Sequence, residues 1–211
     1  MWPWGHLAMA YLVYSCYSRL RRGHRPTAAT ALVVVFASQF PDLVDKPLAW
    51  TLSVLPSGRS LAHSLLVLVP LVALLYSVAR VREEGEARPA GAPRNSERGG
   101  GRPASEGEEP LAVAFGIGAL VHTFGDAFYS LVALELREAG FVLWPAVPPL
   151  EYEVEQSFAA HFALVEASPE LYFEFLLVAV AAVVWRADGY PGLATVLALP
   201  ARAWRGVTGA E

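Results

Sequence analysis

The chain has 211 residues, 55% of them hydrophobic, a mean hydropathy of +0.38 and a formal net charge of −4. It is too apolar for an ordinary soluble domain and has the composition of a multi-span membrane protein. The charge is modest and no long basic stripe occurs, so nucleic acid is not an expected partner; Cys16 stands alone, which excludes an internal disulfide.

The N-terminal run MWPWGHLAMAYLVYSC has no positive charge ahead of its apolar stretch, and its arginines follow it. This predicts a retained first helix rather than a cleaved signal peptide. Apolar segments then fall at 4–18, 27–41, 61–80, 111–134 and 170–186, with a weaker one at 190–204. Those at 61–80 and 111–134 have the ~20 residues that a spanning helix needs. The shorter ones are expected to tilt, to end in the interface or to rely on neighbours. Pro47–Pro56 is apolar but too short to span, which predicts an interfacial or re-entrant stretch. The expected fold is all-α: a multi-pass helical membrane protein with about five spanning helices, four to six, plus an interfacial helix.

Residues 82–109 (REEGEARPAGAPRNSERGGGRPASEGEE) break this pattern, being Glu, Arg, Gly, Pro and Ser with almost no bulky apolar side chain. Such a composition predicts a disordered linker. It divides the chain into an N-terminal helical half, 1–81, and a C-terminal half, 110–211, which together form one membrane domain. Arginines set the expected orientation. Arg19, Arg21, Arg22 and Arg25 follow the first segment, Arg80 and the linker arginines follow the third, and Arg186, Arg202 and Arg205 flank the last ones. Placing these groups in the cytoplasm leaves only Lys46, Arg59 and Arg137 on the other side, a strong positive-inside bias. The N-terminus is then extracytoplasmic and the 82–109 linker cytoplasmic. Trp2, Trp4, Trp50 and Trp144 fall near the outer interface, where amphipathic rings favour the headgroups.

Acidic residues within apolar segments carry the functional signal. The chain has four aspartates, and Asp42, Asp45 and Asp126 lie in or at the ends of such segments. A charge at the centre of a spanning helix costs roughly 2.5–3.5 kcal/mol on insertion scales, so acids kept there bind a metal, pass an ion or pair with a partner. His122 and Asp126 are four apart and share one helix face. His63 opens the third segment in GRSLAHSLL, and His6 starts the first. Asp42 and Asp45 flank a turn or helix end in PDLVD, where Pro41 disrupts the helix and frees backbone groups. With the expected orientation these residues come from four helices to the outer half of the membrane. Imidazole nitrogen with carboxylate oxygen suits a borderline divalent ion: Zn²⁺ first, with Mn²⁺ or Fe²⁺ as alternatives.

The motifs GHLAMAYL, FPDLVDKP, GRSLAHSLL, VHTFGD and LWPAVP occur in this order over residues 5–148. In order and rough spacing they resemble the YdjM-like family of membrane-bound metal-dependent hydrolases. The resemblance implies that His6, Asp42, Asp45, His63, His122 and Asp126 are metal-binding or catalytic, with Arg59 as an anion-binding group. The chain departs from the pattern at Gly58, where the family often has His before the Arg.

Three readings remain open on the residues alone. One is hydrolysis of an ester or phosphoester, on a lipid-linked or headgroup substrate, with Asp42 or Asp45 as general base. Another is a non-enzymatic ion or metal transporter using the same cluster. Against it, the inner stretches Leu68–Tyr76 and Leu111–Phe115 carry no ionisable group apart from Tyr76. The third is a scaffold in which His122–Asp126 is a helix-stabilising pair, Asp42 and Asp45 are helix caps, and Arg59 pairs with headgroup phosphate. His24 lies among arginines and reads as a solvated loop residue, and His161 reads as structural or as an extra ligand.

Overall fold

The computed structural model describes residues 1–86, 108–150, 157–163 and 165–208. Of the predicted linker 82–109, residues 82–86 and 108–109 are helical rather than disordered, because the neighbouring apolar helices extend into them, and 87–107 lie outside the described residues. Every long element is helical and no strand occurs among the described residues, as the sequence predicts. The α-helices are α1 (Pro3–Tyr17), α2 (Ala28–Ala37), α3 (Phe40–Lys46), α4 (Leu65–Glu86), α5 (Glu108–Val132), α6 (Phe158–Ala163), α7 (Pro169–Ala187) and α8 (Leu193–Thr208).

Local chemistry sets most boundaries. Pro3 opens α1 at a position where its missing N–H costs nothing. The helix continues through a π turn, Ser18–Arg22, and stops at Gly23, whose φ of 74° suits glycine. Thr27 and Thr30 form a reciprocal capping box at the start of α2. Ser168 caps α7 by accepting the Leu171 N–H, with Pro169 in the first turn.

The region around Pro41 differs from the sequence expectation. PDLVD is not a turn but part of a short helix, with Asp42 in its first turn. α2 stops at Ser38, and Pro41 sits in the first turn of a new helix, α3, where proline is tolerated. A π turn, Pro47–Thr51, prolongs α3, so the first part of the predicted interfacial stretch is helical. Ala28–Thr51, Leu65–Gly85 and Pro110–Val132 are the stretches long and apolar enough to cross a membrane among the described residues. α1 and α7 carry the apolar segments predicted near the two ends of the chain.

Helix α5 is the hub, packing on α2, α4 and α1, while α7 packs on α1. Small side chains allow close approach, as in other membrane bundles. Ala10, Val34 and Ala114 are fully buried around Tyr14. A Cβ on Gly118 would lie 2.7 Å from the Ala37 Cβ and 3.0 Å from the Val34 carbonyl oxygen, so α2 and α5 touch there nearly backbone to backbone. Only 11% of the apolar window in α4 is buried, leaving Leu66, Val69, Leu74 and Val78 on an outer face suited to lipid.

Two buried polar clusters mark the ends of the bundle. At one end Tyr11 and Ser15 of α1 donate to Asp188 Oδ2 at 2.7 and 2.8 Å, and Arg19 pairs with Oδ1. At the other end the start of α1, the helix α3, the loop before α4 and the second half of α5 converge on a histidine–aspartate cluster. His6 and Ser15 are nine residues apart, about 13 Å along a helix.

Candidate metal centre

Asp42, His63, His122 and Asp126 each present one donor atom, and these four atoms lie within 4.8 Å of one another. His63 Nε2 stands 3.1 Å from His122 Nε2, 3.5 Å from Asp42 Oδ1 and 3.6 Å from Asp126 Oδ2. His122 Nε2 is 3.7 Å from Asp42 Oδ1. Donors on a tetrahedral ion with bonds near 2.0–2.1 Å stand roughly 3.3 Å apart, so these separations suit one small divalent ion.

The backbone fixes both imidazoles from behind. The Nδ1–H of His122 donates to the Ser38 carbonyl oxygen at 2.6 Å. That carbonyl lies at the C-terminal end of α2, where helix carbonyls lack intrahelical partners. Gly118 is one turn before His122 and Ala37 is next to Ser38, so the close α2–α5 approach brings donor and acceptor together. The Nδ1–H of His63 donates to Asp45 Oδ2 at 2.8 Å. With both Nδ1 atoms protonated, two neutral imidazoles turn bare Nε2 lone pairs toward each other at 3.1 Å. Such an arrangement calls for a positive charge between them, either a proton or a metal ion. Asp42 Oδ1 and both nitrogens of His6 are buried without a hydrogen-bond partner, and Asp42 Oδ1 faces this same space. The donor set therefore fits a divalent cation.

The remaining sequence-predicted residues surround these four. Asp45 is fully buried and stands behind His63. Its two oxygens accept the backbone N–H groups of Ser60, Ala62 and His63, at 2.8–3.2 Å, besides the His63 ring. His6 Nε2 is 3.0 Å from Asp126 Oδ1, though not aligned for a hydrogen bond, and its ring stacks on His122 with centroids 3.7 Å apart. Arg59 donates through Nε to Asp126 Oδ2 at 2.7 Å, lies over the Phe141 ring and is 36% exposed. His24 is exposed and bonds only locally, to the Arg25 carbonyl and through its own carbonyl to Ser18. The side chain of His161 lies outside the described residues.

Some participants lie where the sequence carries no obvious signal. Lys46 Nζ pairs with Asp42 Oδ2 at 2.7 Å, one helical turn away. The Met1 amino group is 3.1 Å from Asp126 Oδ1. Glu174 of α7 is buried, with both oxygens 3.1 Å from the Trp2 N–H. Glu174, by contrast, was findable: it interrupts LYFEFLLV, an acid in an apolar segment like Asp126. Gly58 has a structural counterpart too, because a Cβ there would lie 2.9–3.0 Å from the Trp50 indole. Any side chain at 58 would displace that ring.

Fold and cluster together define a helical membrane protein with a buried His/Asp group able to hold a metal ion. The chain belongs to the YdjM inner membrane protein family, whose family model matches residues 1–210. No curated protein and no solved structure matches it.

Proposed function

We propose that this protein is a membrane-embedded metal-dependent hydrolase of an ester or phosphoester. The observation that carries the reading is the pair of opposed Nε2 lone pairs, each held by a fixed Nδ1–H, completed by Asp42 and Asp126. A cluster serving only to join helices would be expected to leave no buried acceptor such as Asp42 Oδ1 unsatisfied.

Asp42, His63, His122 and Asp126 would hold the ion, with Zn²⁺ favoured by the mixed nitrogen and oxygen set and Mn²⁺ or Fe²⁺ as alternatives. When bound, a divalent ion supplies a water of lowered pKa and polarises a phosphoryl or carbonyl oxygen. The protein's own groups then divide the work. Asp45 orients His63 and raises its basicity, the usual role of a carboxylate behind a ligating histidine. With its oxygens occupied, it is a positioning residue rather than the base. His6 lies against Asp126 and His122, with Nε2 3.0 Å from Asp126 Oδ1 and Nδ1 without a hydrogen-bond partner, and would be the group to take a proton from water at the cluster. Arg59 is half-exposed beside Asp126 and would hold an anionic oxygen of the substrate. The arginine distribution supports an orientation with this cluster on the extracytoplasmic side and the 82–109 segment in the cytoplasm.

The deciding experiment is metal analysis of the detergent-purified protein beside a His122→Ala/Asp126→Ala variant. About one tightly bound divalent ion in the wild type, absent from a variant that still folds, supports the centre. Hydrolysis of phosphoester and lipid ester probes should then stop on chelation and return with metal. No ion in the wild type, even after reloading, would overturn the reading in favour of a scaffold or proton pathway.

A further inference from the structure

We infer that the small cavity beside Asp42, between α3 and α6, is a headgroup subsite for an anionic amphiphile, with Lys46 binding the anion. This deepens the hydrolase reading and rests on it for the reaction, though the binding itself does not depend on turnover. The cavity measures about 160 Å³, and Gln39, Asp42, Leu43, Lys46, Phe158 and Phe162 are among its lining residues.

Asp42 joins the cavity to the metal centre. Its Oδ1 faces His63 and His122, and its Oδ2 accepts from Lys46 Nζ. Lys46 is the only lysine in the chain, and its side chain is 12% exposed. An ammonium has three donors, of which Asp42 takes one. Once Asp42 shares its charge with a divalent ion, the balance at Lys46 shifts to positive, in a cavity whose other walls are mainly apolar. An anion placed there would lie next to the hydrolytic centre.

The walls decide what the anion is attached to. Phe158 and Phe162 are one helical turn apart on α6, line the cavity and remain about half-exposed. Trp50 packs edge-on against Phe158 with centroids 5.1 Å apart, and the Lys46 ammonium lies 5.4 Å from its ring. Gly58 is what leaves room for that indole. The aromatic rim thus leads from the ammonium outward along apolar surface. Pockets that enclose a drug-sized ligand run to roughly 300–1,000 Å³, so this cavity admits a headgroup and its first carbons. The hydrocarbon tail would stay in the bilayer.

The probe is n-dodecyl phosphate, offered to the full-length protein in a neutral maltoside detergent and followed by ³¹P line broadening, with inorganic phosphate in parallel. Lys46→Gln should weaken dodecyl phosphate about tenfold or more, the usual scale for one charge-assisted contact. Lys46→Arg should restore binding, which guards against a folding defect in the Gln variant. Phe158→Ala/Phe162→Ala should weaken dodecyl phosphate and leave inorganic phosphate unchanged. Equal dodecyl phosphate affinity in wild type and Lys46→Gln, or in wild type and the double Phe variant, would overturn the subsite. Metal content measured on the same samples separates the two readings. Lys46-dependent binding in a protein that takes up no metal keeps the subsite and removes the metal centre. A metal-loaded protein whose binding ignores Lys46 does the reverse.

Discussion

Replacing Asp45 with Asn tests how the loop before α4 supports the candidate metal centre. In the wild type four N–H groups converge on this carboxylate: three from the backbone and one from His63. The amide keeps one acceptor oxygen. If that oxygen takes the place of Oδ2, it retains Ser60, both His63 contacts and the longer, 3.1 Å contact of the Ala62 N–H. Its NH₂ then meets the Ala62 N–H, which sits 2.9 Å from the lost Oδ1. The shorter arm of the Ala62 bond is lost, the remaining bonds lose their charge assistance and two buried donors face each other, a destabilisation of about 2–4 kcal/mol. The effect on metal is separable. Loss of a charged partner behind a ligating imidazole typically lowers metal affinity ~10–100-fold, about 1.4–2.7 kcal/mol. The assay is competition with a chelator of known affinity, run beside denaturation of the metal-free protein. Asp42→Asn, which removes a donor atom, should lose far more. Unchanged metal affinity in folded Asp45→Asn would refute the positioning role, and a loss as deep as that of Asp42→Asn would make Asp45 a ligand.

Two further substitutions probe what holds the centre in place. Gly118→Ala would stabilise an exposed helix by roughly 0.5–1 kcal/mol, but here the new Cβ meets the α2 backbone. The expected sign is therefore reversed, with a loss of about 1–3 kcal/mol in unfolding measurements and weaker metal retention through the strained His122–Ser38 bond. Asp188→Asn should weaken the Tyr11–Ser15–Arg19 cluster. Because Arg19 is 42% exposed, the cost falls below that of a fully buried pair, at about 1–3 kcal/mol. Metal content should not change, since that cluster lies at the far end of α1.

Much of the fold was legible because hydropathy is a local signal. The segments at 4–18, 111–134 and 170–186 coincide with α1, α5 and α7 to within a few residues. The i,i+4 spacing of His122 and Asp126 also transfers directly, since both lie in one long helix. What failed to transfer depends on partners distant in sequence. Pro41 reads locally as a disruption, yet its effect is to start α3 and to leave the Ser38 carbonyl for a histidine 84 residues away. Asp42 and Asp45 look equivalent in PDLVD. On a seven-residue helix they diverge, one toward the histidines and the other into the amides of Ser60–His63. Lys46 could be read as a stray interfacial charge until α6 arrives beside it.

The donor set has a consequence for assembly. Asp42 and His63 precede residue 87, and His122 and Asp126 follow residue 107, so neither half of the chain carries a complete set. A bound ion would act as a rivet between pieces that enter the membrane at different moments of synthesis. Until the second piece arrives, the first would hold a carboxylate and an imidazole with nothing to share. Metal capture would then report that insertion is finished, and two halves expressed as separate chains would regain the ion only by finding each other.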